Sequence, residues 1–165
     1  MSKQGWCFNL NDWKKNQNES AIYDSNPTVL AKMKSGFAVF GYTQFLPGYC
    51  VLLSYPKIVS LNDLPLRERS GFLLDMTIIG DAITQVYNPI RMNYEILGYT
   101  DAFLHAHIFP RYEWEETKHK TKSVWLYDED NWSNSAFQYD QVRYQERRLA
   151  LQKKFIELID SYKTT

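Results

Sequence analysis

Neither sign of charge is in excess in this chain: 19 Lys and Arg balance 19 Asp and Glu across 165 residues. Without a global positive field, binding of a long nucleic acid loses its cheapest signature, while a small anion that needs only local donors stays open. Long apolar runs are missing too. No stretch approaches the length required to cross a bilayer, which points to a cytoplasmic protein with no membrane partner. Cysteine is scarce, and Cys7 and Cys50 have none of the close spacing of a thiolate metal site or a dithiol redox pair. Structural thiols are the expectation for both, and a disulfide between them stays open. Histidine is nearly as scarce, yet two of the three sit together in "FLHAHIFPRY", residues 103–112.

What the chain has instead is rings. Aromatic residues make up 16%, with 12 Tyr and 5 Trp, which argues for a dense interior and ring-lined surfaces in one compact domain spanning residues 1–165. Residues 9–35 are polar, and Ser25 or Asn26 can cap a short helix over "PTVLAKMKSG" that Gly36 ends. "FAVFGYTQFLPGYCVLLSYP" holds two β-type runs, 37–43 and 49–55, which predict an antiparallel hairpin. Phe72, Met76, Ile79, Ile83 and Val86 then recur at steps of three and four, predicting a helix over 64–87 with Pro65 in its first turn and Pro89 ending it. Gly71 and Gly80 each weaken that helix by ~1 kcal/mol relative to Ala, so close packing on the sheet must hold it. "RMNYEILGY" and "DAFLHAHIFPRY" read as a second hairpin. After a charged loop, a last helix over 138–162 turns Val142, Leu149, Phe155, Ile156 and Ile159 inward. The fold class is α+β: an antiparallel sheet from two hairpins, packed against a long helix and a C-terminal helix.

Alternation along the last strand puts Phe103, His105, His107 and Phe109 on one side and the apolar Leu104, Ala106 and Ile108 on the core side. The two histidine Cα atoms lie ~7 Å apart, within reach of one phosphate-sized group. A lone histidine in such a run is most often a packed residue with satisfied nitrogens. Two on one face shift the balance toward chemistry, since apolar residues would avoid the desolvation and an imidazole pKa near ~6.5 suits a nucleophile or donor. A metal site is the other sharp reading, with Glu95 as a further ligand, although His119 lies among Lys118, Lys120 and Lys122, a cationic setting that opposes a divalent ion.

"LHAHIFPRY" resembles the signature strand of the histidine-triad nucleotide hydrolases and transferases, which alternates histidine with apolar residues before Pro-Arg in several branches. "GYTDAF" sits where that family has Gly-Gln-Ser/Thr, and "FLPGYCVLLSYPKIVSLNDLP" is similar to its Pro-Gly-His strand and the helix start that follows. The resemblance spans about residues 36–112, in the right order, with 113–165 as a loop and helix extension. It implies that His105 is the nucleophile and His107 the last histidine of the triad, with Phe103 in place of the first. Tyr49 stands where many members carry histidine, and Gly41 where many use Asn near the ribose.

The same resemblance implies a two-step displacement at a nucleotide α-phosphate through a nucleotidyl-His105. His107 steadies a nonbridging oxygen, the Thr100 hydroxyl lies near the leaving group, and Asn93 is an amide donor to the phosphate. A purine pocket is expected from Phe37, Val39, Phe45 and Leu52, and Arg111 is a candidate phosphate contact. "KHKTK" reads as an exposed basic loop. The expected substrate is a dinucleoside polyphosphate of the diadenosine tetraphosphate type or a nucleoside phosphoramidate, with no cofactor and a homodimeric assembly. The alternatives are a nucleotide-binding module with little turnover, motivated by Phe103, and a metal-dependent enzyme using the His-x-His pair.

Overall fold

The computed structural model describes residues 12–163. Its elements run α1 (Gln17–Ile22), β1 (Val29–Lys32), β2 (Gly36–Phe40), β3 (Cys50–Ser54), α2 (Leu66–Tyr87), β4 (Arg91–Glu95), β5 (His105–Arg111), α3 (Thr117–Lys120), α4 (Glu129–Ser133) and α5 (Gln145–Lys163), with 3-10 turns at Leu61–Asp63, Val124–Leu126 and Ser135–Phe137. Cys7 lies outside the described residues; Cys50 is a free thiol, fully buried in β3.

Both expected hairpins form, and they join into one five-stranded sheet of order β1-β2-β3-β5-β4 with every neighbour antiparallel. The seam between them, β3 against β5, sets Val51 opposite His107 and Leu53 opposite His105. The short helix expected over residues 27–36 is instead the edge strand β1. Asn26 does not cap: its side-chain oxygen accepts from Thr28 N–H at 2.9 Å and from the Thr28 hydroxyl at 2.5 Å, closing a two-residue turn that launches an extended chain. Pairing with β2 then outweighs the weak helical preference of "VLAK".

Helix α2 starts just after Pro65 and ends at Asn88, which takes a left-handed conformation (φ 51°) before Pro89. Phe72, Met76, Ile79 and Ile83 are buried against the sheet as their spacing predicts. Gly80 is buried beneath Tyr94 of β4, where an added Cβ would stand 2.0 Å from the phenol oxygen, so there the missing side chain does admit the sheet. Gly71 is different: a Cβ there would meet nothing within 4 Å. Helix α5 begins later than expected and with a different phase. Val142, Leu149 and Ile156 are exposed, and the buried stripe is Leu151 and Phe155, with Leu158 and Ile159 beside them.

The sheet is covered on both faces, which explains why every residue of β2 and β3 is buried. On one side Ala38, Leu52, Leu104, Ala106 and Ile108 pack against α2 and α5. Leu52, expected in a base pocket, belongs here: opposite Ala106 and fully buried, it points away from the histidines. On the other side Phe37, Val39, Val51, Leu53 and Phe109 form a second core, roofed by the segment after β5. There Phe45 meets Tyr127 at 5.0 Å and Trp132 at 4.8 Å between ring centres, and Trp125 stacks on Trp132 at 4.9 Å. The aromatic abundance of the chain is thus largely a second hydrophobic layer. Among the described residues no helix is long and apolar enough to cross a membrane.

Candidate active site

His105 and His107 project from β5 on the roofed face with ring centres 4.9 Å apart and planes at 82°, and both border one hollow of about 70 Å³. Its other walls are Gly41, Tyr42, Tyr49, Val51, Leu53 and Phe103, and its rim includes Lys14, Lys15, Gln17 and Asp101. The hollow is large enough for a phosphoryl group.

The orientation of His105 follows from one bond. Its Nδ1 lies 2.8 Å from the carbonyl oxygen of Phe103. A carbonyl can only accept, so Nδ1 carries the proton, and in the neutral ring the lone pair is on Nε2. The side chain at position 103 does not enter into this bond, since the backbone supplies the acceptor. The Phe103 ring instead packs beside His105 at 4.8 Å, with the Lys57 ammonium 5.1 Å from its centre.

His107 Nδ1 is 2.7 Å from the Tyr49 hydroxyl. Burial, followed by smaller contributions from Tyr42, Cys50 and Glu95, raises the Tyr49 pKa well above its ordinary value, so the phenol keeps its proton and is able to donate. Burial, with His105 adding to it, lowers His107 to about 3, and the ring is neutral near pH 7. Because an unfolded imidazole protonates near ~6.5, this burial costs no stability above that pH and an increasing amount as pH falls toward the lowered value. Trp125 closes the far side of His107 edge-on at 4.8 Å, and its indole N–H donates to Glu95, which stands opposite His107 on β4.

Gly41 and Tyr49 are sterically linked. A Cβ on Gly41 would stand 2.1 Å from the ring of Tyr49, so a side chain at position 41 and an aromatic ring at position 49 exclude each other.

The remaining expected site residues are placed less uniformly. Val39 and Phe45 lie on the histidine face but are buried, Phe45 under the protein's own rings, and Phe37 is buried with Tyr55 edge-on at 5.7 Å. Thr100 is exposed in the loop between β4 and β5. Arg111 has no free face. Its Nε spans both Glu115 oxygens at 3.1 and 3.0 Å, Nη1 reaches Asn93 Oδ1 at 2.8 Å and the Lys122 carbonyl at 3.0 Å, and Nη2 reaches Glu115 at 2.9 Å and the His119 carbonyl at 2.7 Å. This fork anchors the roof, and it holds Asn93 by its amide oxygen. Burial pushes the Glu115 carboxyl up, but hydrogen bonds from Arg111, Tyr127 and the Tyr112 N–H outweigh it and leave the pKa below the usual range. "KHKTK" is likewise not wholly exposed, since His119 is buried and stacks on Tyr127 at 3.9 Å. Among the described residues no group of three His, Cys, Asp or Glu side chains is placed to hold a metal ion.

Tyr49, Trp125 and the Lys14–Gln17 rim are the site members that residue patterns missed. Tyr49 was visible only as a departure from a motif, and Trp125 only as one ring within "SVWLYDEDNW".

No protein-family model and no curated protein matches the sequence. Solved structures do match. A histidine triad protein from Marinobacter aquaeolei aligns with a TM-score of 0.66 at 17% identity, over 79% of this chain and 89% of its own. A histidine triad protein from Bradyrhizobium japonicum gives 0.65 at 17% identity over 77% and 89%. The Plasmodium falciparum diadenosine triphosphate hydrolase gives 0.56 at 15% identity over 79% and 78%. The chain therefore has the histidine-triad fold, an α+β architecture, and at these identities the likeness is one of fold.

Two outcomes follow from this geometry. Arg111→Ala strands a buried Glu115 and should lower unfolding free energy in urea by about 3–5 kcal/mol; a change below about 1 kcal/mol would show that the fork does not hold the roof. Gly41→Asn alone should cost about 1–3 kcal/mol through collision with Tyr49, and most of that should return in the Gly41→Asn, Tyr49→His double variant. Additive losses in that double-mutant cycle would mean the two positions are independent.

Proposed function

We propose that the protein is a nucleotide hydrolase or nucleotidyltransferase acting at an α-phosphate through a covalent nucleotidyl-histidine. The observation that carries this reading is the 2.8 Å bond of His105 Nδ1 to the Phe103 carbonyl, which directs the Nε2 lone pair of the unprotonated ring toward a phosphate-sized hollow shared with the neutral His107 imidazole. In the first step Nε2 attacks the α-phosphorus, the bond from phosphorus to the leaving oxygen or nitrogen breaks, and the leaving group departs with its electron pair and takes up a proton. In the second, water attacks the phosphorus, the P–N bond to His105 breaks, and a nucleoside monophosphate is released. Tyr49 donates to His107 Nδ1, so that His107 Nε2–H faces the charge building on a nonbridging oxygen. Thr100, from its exposed loop, serves the leaving group.

With Val39 and Phe45 buried, the nucleoside lies over the rim, where Tyr42 and Phe103 offer ring faces and Lys14 and Lys15 offer charge. The substrate class is a dinucleoside polyphosphate or a nucleoside phosphoramidate, and no resident cofactor is required. A cytoplasmic homodimer goes with this reading. The exposed Ile90, Leu97 and Tyr99 around the edge strand β4 support that assembly.

Phe103 favours a second reading, a nucleotide-binding module with little turnover, and one experiment separates the two. Protein is incubated with diadenosine tetraphosphate and, separately, adenosine phosphoramidate in the presence of a strong chelator, and product and intact protein mass are followed. Turnover with a transient gain of one adenylyl group, both lost by about three orders of magnitude or more in His105→Ala, is expected. Tight binding without product, little changed by His105→Ala, would establish the module instead.

A further inference from the structure

In the loop between β2 and β3, residues 41–49, all but Tyr42 and Pro47 are buried. Loops usually run over the surface, because a buried one must find partners for peptide groups that no sheet or helix takes up. Two of those partners are backbone groups beyond the roof: Gln44 N–H donates to the Phe137 carbonyl at 2.7 Å, and Tyr139 N–H donates to the Tyr42 carbonyl at 2.8 Å. Such bonds do not depend on side-chain identity. Three further peptide groups are met by one side chain, that of Gln44, which is 2% exposed. Its Nε2 donates to the carbonyls of Gly41 and Tyr49, both at 2.9 Å, and its Oε1 accepts from Gly48 N–H at 2.9 Å.

Carbonyls only accept and a peptide N–H only donates, so the carboxamide has a single orientation and both of its N–H donors are used. Glutamate would bring no donor, asparagine is shorter by one methylene, and an apolar residue of similar length would leave the Gly41 carbonyl and Gly48 N–H unpaired. The clamp closes the two ends of the loop on each other, where Gly41 N–H also donates to the Tyr49 carbonyl at 2.9 Å. One of those ends carries the site. The Tyr49 ring lies where a Gly41 Cβ would stand, stacks on Phe109 at 4.3 Å and brings its hydroxyl to 2.7 Å from His107 Nδ1. Gln44 itself does not border the hollow.

We propose that Gln44 is a positioning residue, which clamps the Gly41 and Tyr49 carbonyls, holds the Tyr49 hydroxyl in line with His107 Nδ1, and so aims His107 Nε2–H at the phosphate oxygen. A hydrogen bond weakens steeply when its donor swings out of line, so a small drift of the Tyr49 backbone is enough to loosen the imidazole. The effect on rate rests on the nucleotidyl-transfer reading above. The link from Gln44 to His107 does not, because it belongs to the resting protein.

The test compares full-length Gln44→Met, Gln44→Asn and Tyr49→Phe, labelled with nitrogen-15 at histidine, and measures turnover of diadenosine tetraphosphate beside the spectra. The His107 Nδ1 resonance reports the hydrogen bond that this nitrogen accepts, and it should move in the same direction in both Gln44 variants as in Tyr49→Phe. In the Gln44 variants kcat should fall about tenfold to a hundredfold with KM changed by less than about twofold. Adding Gln44→Met to Tyr49→Phe should lower kcat little further, since both act through one bond. A His107 Nδ1 resonance at its wild-type position in a folded Gln44 variant would overturn the proposal, as would a loss in kcat that adds fully to that of Tyr49→Phe. Unfolding of both Gln44 variants, seen as lost near-ultraviolet circular dichroism, would overturn it too, because Gln44 would then hold the fold and not the ring. Should the wild-type protein turn nothing over, the nucleotide reading fails, and the resonance still decides whether Gln44 sets the Tyr49–His107 bond.

Discussion

The hydrogen bond from His105 Nδ1–H to the Phe103 carbonyl is the constraint on which the site depends, because it decides which nitrogen carries the lone pair. It is a bond to the backbone, so it does not depend on the side chain at position 103. One step away, the Tyr49 hydroxyl meets His107 Nδ1 at 2.7 Å. The ring that does so requires Gly41 to have no side chain. Gly41, Tyr49 and His107 therefore form one packing unit beside His105.

The second constraint is two-sided burial. A strand pair buried on both faces cannot use alternation to separate inside from outside, and β2 and β3 do not. The roof of Phe45, Trp125, Tyr127 and Trp132, pinned by the Arg111–Glu115 pair, converts most of the histidine face into a core and leaves only a phosphate-sized opening beside His105 and His107. Such a roof excludes water from His107, the main reason its pKa falls so far.

Much of this was legible in the residues because local pattern and long-range packing agreed. Both hairpins, the span of α2, and the sharing of one face by His105 and His107 follow from periods of two and of three to four. The failures have equally local causes. Leu30 and Met33 satisfy a helical spacing, three residues apart, and only pairing with β2 decides for β1. The phase of α5 rests on which of several apolar residues meets α2, which composition leaves open between Leu149 and Leu151. Arg111 follows the Pro-Arg pattern of a phosphate contact, yet its partners Glu115, Asn93 and two carbonyls are brought together only by the folded roof. Leu52 carried no mark of which core it would join until the register with Ala106 was known.

The proposed chemistry stands or falls on the protonation of the two imidazole rings, and nitrogen-15 NMR of histidine-labelled protein at neutral pH reads it directly. His105 should carry its proton on Nδ1 with Nε2 bare, and His107 should carry its proton on Nε2. A His105 ring protonated at Nε2 would leave no lone pair facing the hollow and would contradict the attack on phosphorus.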